Sequence, residues 1–125
     1  MALEGFKVYL PTTGDANLTL TKNGLGISKA TVSKLNCSEY VRILMDYQGR
    51  RMAIVETDEN DAAKTEFARD GKNVGIRWNS RDLIKTLCQM NGWTLENGEK
   101  YTIPGEYSVE ESAMIFDFNQ ATLSR

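Results

Sequence analysis

The chain has 125 residues, 41% hydrophobic and 26% charged, with 15 basic against 17 acidic side chains and a net charge of -2. That size suits one domain, spanning 1–125, which buries about two-thirds of the surface its unfolded chain would expose and needs no metal or disulfide staple. The composition excludes disorder, no apolar run approaches the roughly 18 residues of a membrane span, and the start lacks the basic-then-apolar form of a signal peptide. A cytoplasmic protein without a membrane partner is expected.

Phe6, Val8 and Leu10 alternate with Lys7 and Tyr9, and beyond a turn-rich stretch at 11–15 comes a second alternating run at 17–21, so the start predicts a strand pair. Lys22-Asn23-Gly24-Leu25-Gly26-Ile27 then leads into Ser28-Lys29. Ser28 suits a helix N-cap, and Ile27 before it is placed to staple onto Val32 in a short helix ending near Asn36. Residues 40–47 and 51–56 flank Gln48-Gly49-Arg50 and predict a hairpin whose buried face carries Val41, Ile43, Met45, Met52 and Ile54. Four carboxylates within residues 56–61 predict an exposed connection. The calcium-loop alternative lacks its central glycine and its closing glutamate.

The second half repeats this order. Lys72-Asn73-Val74-Gly75-Ile76 runs into Ser80-Arg81 and ends at Leu87, as the first pattern ends at Leu35. Strands are predicted at 64–69 and 73–78 around an Asp70-Gly71 turn. A stronger helix follows over 80–91, with Asn79 as cap, Trp78 stapled onto Leu83, Asp82 in the first turn and Gly92 beyond its end. Strands at 100–103 and 113–118, separated by Pro104-Gly105, complete the unit. The expected fold class is therefore α+β. It consists of two strand-helix-hairpin halves, pseudo-repeats over about 17–57 and 64–118, with two short helices against a mainly antiparallel sheet or small barrel.

Residues 22–56, with Ile27, Lys29 and Leu35 at the spacing of an Ile-Pro-Lys…Leu-Gly motif, resemble the AbrB-type (swapped-hairpin) DNA-binding domain of bacterial transition-state regulators and antitoxins. Ser28 replaces the motif's proline and Asn36 its glycine, Thr31 stands where an aliphatic residue is usual, and Cys37-Ser38-Glu39 replaces the glycine-acid turn. The resemblance implies a duplex DNA partner. It also implies pairing, either as a homodimer or, with a second copy in 64–118, as an internal pseudo-dimer.

Charge is distributed in keeping with that implication. Residues 22–51 hold six cations against two acids, and residues 64–85 hold six against three, while acidity concentrates at 56–61 and 96–117. If the halves pack about a two-fold axis, Lys22, Lys29 and Lys34 lie beside Lys72, Arg77 and Arg81 and form one surface for phosphates. The bland alternative is that these side chains solvate outer faces, and a pI near 5.2 is not that of a typical nucleic-acid module.

Catalytic chemistry finds little footing. The chain has no histidine and no metal-ligand spacing, so no cofactor is expected. Cys37 and Cys88 sit at helix C-terminal ends, where no positive dipole activates a thiol. Gly24-Leu25-Gly26 lacks the rest of a dinucleotide or phosphate loop, and Glu106 with Asp117 does not define a shared cleft. The expectation is a non-catalytic binding module. One form is a small bacterial or phage DNA-binding regulator. The other is a protein-interaction or assembly component, of a mobile element for instance, that docks a protein partner through a sheet edge or an apolar patch.

Overall fold

The computed structural model describes residues 15–124; the strand predicted at residues 6–10 lies outside them. Among the described residues nine strands form one antiparallel sheet: β1 (Asn17–Thr21), β2 (Gly24–Ile27), β3 (Tyr40–Asp46), β4 (Arg51–Thr57), β5 (Thr65–Glu66), β6 (Ile76–Trp78), β7 (Lys100–Ser108), β8 (Ala113–Asp117) and β9 (Thr122–Ser124). Their order is β5-β3-β4-β8-β7-β1-β2-β6, with β9 also on β7, and the sheet curls into a half-barrel. Two helices interrupt it, α1 (Lys29–Lys34) and α2 (Arg81–Asn91). Among the described residues no helix is long and apolar enough to cross a membrane.

This corrects the expected architecture of two strand-helix-hairpin halves. At six residues α1 is under two turns, so α2 is the one substantial helix among the described residues. The expected second copy breaks down in its opening strands. Only Thr65–Glu66 of the predicted strand at 64–69 pairs, and only Ile76–Trp78 of that at 73–78. Between them Asp70 and Gly71 take left-handed φ values of 55° and 67°, which end extended structure on either side.

Pro104-Gly105, expected to separate strands, instead lies inside β7. The strand changes partners there: residues 100–104 pair with β1, and residues 105–108 pair with β8. Gly105 donates its N–H to Ala16 at 2.9 Å. By the alternation of an antiparallel ladder, the nitrogen of Pro104 then points away from β1, toward the break between β8 and β9. No ladder bond is lost, which is why proline is tolerated at this position. The registers of β8 and β9 along β7 differ by three residues, the length of the 3-10 turn Phe118–Gln120 between them.

Local chemistry explains both helix starts. Ser28 Oγ accepts the N–H of Thr31, and Ser80 Oγ accepts that of Leu83. The second cap is therefore Ser80 and not Asn79, and the staple positions shift to Asn79 and Ile84. Gly92 ends α2 at φ 68°. The concave side holds the core: Leu18 and Leu20 of β1, Leu25 and Ile27 of β2, Val41, Met52, Ile54, Met114 and Phe116 from the opposite wall, and Val32, Leu35, Ile84 and Leu87 from the helices.

Candidate interaction surfaces

The convex side of the sheet divides into two halves of different chemistry. Across β6-β2-β1-β7-β9, register places Arg77, Gly26, Thr19, Thr102 and Thr122 in one row, and Gly24, Thr21, Lys100 and Ser124 in the next. This half obeys simple alternation, with Leu18, Leu20, Leu25 and Ile27 inside and hydroxyls outside, as a sheet facing water should.

The half built from β3, β4 and β8 does not. Each of its strands carries an unbroken apolar run: Ile43-Leu44-Met45, Met52-Ala53-Ile54-Val55 and Ala113-Met114-Ile115-Phe116. Ile43, Ile54 and Met114 form one inward row, and Met45, Met52 and Phe116 another. The remaining side chains face outward, with Leu44, Ala53 and Ile115 aligned across the three strands and Val55 beside Ala113. Leu44 is 46% exposed, and Ala53, Val55 and Ile115 are half-buried. Together they floor an open groove of about 390 Å³, rimmed by Asp46, Arg51 and Glu111. Arg51 and Asp46 hold each other at 2.8 Å. The Asp46 carboxyl, which also accepts the Gly49 N–H, sits below its ordinary pKa through those two hydrogen bonds, the backbone one being the larger cause.

A second surface lies where the curl fails to close. The free edges of β5 and β6 face each other across a polar groove of about 560 Å³ lined by Glu39, Glu66, Arg69, Asp70, Gly75 and Arg77, among others. Trp78 bridges it, donating its indole N–H to the Glu66 carbonyl at 3.1 Å, with its ring 6.0 Å from that of Phe67.

The six cations expected to form a phosphate surface are distributed as follows. Lys22, in the β1–β2 turn, shares a groove with Arg77 and Lys100, and Glu96 and Glu99 line the same groove. Lys29 opens α1 and Lys34 closes it. The loop carrying Lys72 runs alongside that helix: a Cβ on Gly75 would lie 4.0 Å from Lys29 N, and one on Gly71 would lie 3.9 Å from the Cys37 carbonyl. Arg81 begins α2. Lys22 and Arg77 are thus brought together, but carboxylates are interleaved with them.

The acidic connection is folded onto the sheet. Asp61 takes a two-pronged hydrogen bond from Arg42, at 2.9 and 2.8 Å, and further ones from Thr57 Oγ1 at 2.7 Å and Ala63 N–H at 2.9 Å. These donors, Arg42 foremost, hold its carboxyl well below the usual carboxylate range. Among the described residues no group of three or more acids or thiols gathers to hold a metal. Burial pushes the Cys88 thiol up, away from a reactive thiolate.

Leu44, Val55 and Ile115 lie outside the face that alternation in the β3–β4 hairpin marks as buried. Their signal was present in the sequence: three consecutive apolar residues in a strand break the period of two and mark a strand apolar on both faces. Comparison of the chain with protein-family models, curated proteins and solved structures finds no match.

Proposed function

We propose that this protein is a non-catalytic protein-interaction module whose docking surface is the outer face of β3, β4 and β8. The observation that carries the reading is the contrast between the two halves of one sheet. The β1-β2-β7 half has hydroxyls outside, whereas the β3-β4-β8 half has Leu44, Ala53, Val55 and Ile115 outside, a composition suited to burial on both faces. A rim of Arg51, Asp46 and Glu111 around an apolar centre has the anatomy of a protein interface. The mixed-sign grooves around Lys22 and Arg77 lend less support to a duplex, since phosphate neutralisation calls for cations unopposed by acids.

The test uses Leu44→Glu and Ile115→Glu, two outward positions of the same row, on the first and third strands of the groove. Affinity capture from the native host should recover a protein with the wild type that both variants lose, while their unfolding free energies stay within about 0.5–1 kcal/mol of wild type. Unchanged capture by both variants would defeat the proposal. Duplex DNA binding that weakens steeply with salt, and is lost on charge reversal of Lys22, Lys29, Lys34, Lys72, Arg77 and Arg81, would replace it with the nucleic-acid reading.

A further inference from the structure

We infer that the seam between β5 and β6 is a second binding site, one that accepts a single extended peptide strand from a partner protein by main-chain pairing. Ser28 donates to the Asn17 carbonyl at 3.1 Å, so residues 17 and 28 form a hydrogen-bonded pair of the β1–β2 ladder. Alternation then turns the backbone of Gly24 and Gly26 toward β1 and that of Leu25 and Ile27 toward β6. Leu25 pairs with Trp78 and Ile27 with Ile76, so those two residues of β6 face β2. The N–H and C=O of Arg77, between them, both point into the seam, and neither has a partner among the described residues.

The opposite edge is built the same way. Phe67 donates to the Glu39 carbonyl at 2.8 Å, which places the backbone of Glu66 away from β3 and toward the seam. The Glu66 carbonyl is already taken by the Trp78 indole, and its N–H remains. Two sheet edges therefore present donors and an acceptor to one polar groove, the arrangement that an added strand satisfies.

Strand parity sets the orientation. Every neighbour along the eight-strand path is antiparallel, so β5 and β6 run opposite to each other. One inserted strand must be antiparallel to one edge and parallel to the other. The β6 edge is the longer, with both Arg77 groups open, and antiparallel pairing is the more stable per residue, so the peptide runs antiparallel to β6. Its residue opposite Arg77 presents a polar side chain outward between Arg77 and Glu66. The residues on either side of it turn inward toward Ile76, Trp78 and Phe67 and are apolar. Both edges are short, so affinity draws on those apolar contacts as well as on the ladder.

The experiment is a selection of phage-displayed linear peptides on the full chain, followed by titration of the enriched peptides. Arg77→Pro removes the arginine side chain and, from the backbone, only the seam-facing N–H, because the β2–β6 bonds are made by Ile76 and Trp78 and proline is acceptable on an edge. Arg77→Ala removes the side chain and keeps the N–H. Enriched peptides are expected to share the apolar–polar–apolar triplet. They should bind Arg77→Pro about tenfold or more weakly, and bind Arg77→Ala within about threefold of wild type. N-methylation of the peptide's central residue should weaken binding to the unaltered protein to a similar degree, a readout that does not depend on a variant folding. Leu44→Glu should leave this binding unchanged, which separates the seam from the apolar face. Failure to enrich any peptide, indifference of the enriched peptides to N-methylation, or self-association of the wild type that Arg77→Pro abolishes would each overturn the assignment.

Discussion

Gly105→Ala is the sharpest test of how the sheet is bent. Gly105 stands opposite Phe116 in the β7–β8 ladder, and the partner of β7 changes at this point. By alternation the two residues form a non-hydrogen-bonded pair, the type in which cross-strand side chains approach most closely. A Cβ on Gly105 would lie 2.7 Å from Phe116 Cε1 and 3.0 Å from Met114 Sδ. Carbon atoms prefer 3.5–4.0 Å, so the ring must retreat by roughly 1 Å. Phe116 and Met114 are both fully buried, and a close-packed core has no space to receive them. Overpacking of this kind costs about 1–3 kcal/mol, against about 0.4–1 kcal/mol gained from a less flexible unfolded chain. The net expectation is a loss of about 1–2 kcal/mol, or about 3–8 °C in Tm. Urea unfolding read by tryptophan fluorescence measures it, with Gly26→Ala as the control. There the Cβ would meet Thr19 Oγ1 at 2.5 Å, but Thr19 lies on the polar convex face and turns about χ1, so little change is expected. In a Phe116→Leu background the cost of Gly105→Ala should shrink by at least about 0.5 kcal/mol. A Gly105→Ala protein as stable as wild type, or full additivity with Phe116→Leu, would refute this account of the bend.

Two further expectations concern the helix caps and acid stability. Ser28 Oγ accepts the Asn17 N–H at 3.0 Å as well as that of Thr31, and it pairs with the buried Thr31 hydroxyl. Ser28→Ala should therefore cost about 1.5–3 kcal/mol, whereas Ser80→Ala, at an exposed cap, should cost about 1 kcal/mol or less; the reverse ranking in urea melts would count against the cap assignments. The Asp61 carboxyl has its pKa lowered by Arg42, Ala63 and Thr57, so the folded state binds the proton less readily than the unfolded one. The stabilisation this provides is complete above the unfolded value of about 3.9 and declines as pH falls below it. Asp61→Asn should flatten the acid limb of a stability profile taken from about pH 2.5 to 7, and a limb of unchanged slope would show that other carboxylates control it.

Much of the local structure was legible in the chain. The hairpin across 40–57 has its inward face where the alternation of Val41, Ile43 and Met45 indicates, and Ser28 caps α1 at the expected residue. Such features depend on neighbours within a few residues, where side-chain period and hydrogen-bond chemistry act directly. The second half was misread for a corresponding reason. Gly75-Ile76 before a capped helix looks like Gly26-Ile27 before another, but β6 is an edge strand of three residues and β2 is an inner one. A strand's place in a sheet follows from distant partners. Pro104-Gly105 likewise carries a turn signal, and only the gap between β8 and β9 lets it stand within a strand.

The candidate surfaces divide along the same line. The unbroken apolar runs of β3, β4 and β8 are written in the sequence, since consecutive apolar residues need no fold to be seen. Which of their faces stays uncovered was decided by the curl, which directs α1, α2 and the opposite wall to the concave side. The seam has no sequence signature at all. It arises because the strands curl without pairing β5 to β6, leaving the main-chain groups of Arg77 and Glu66 facing a gap, and main-chain groups are the same in every residue but proline. Composition and period therefore determined what each segment could bury. Tertiary closure decided what was left unpaired, because pairing of sheet edges depends on contacts far apart in the chain.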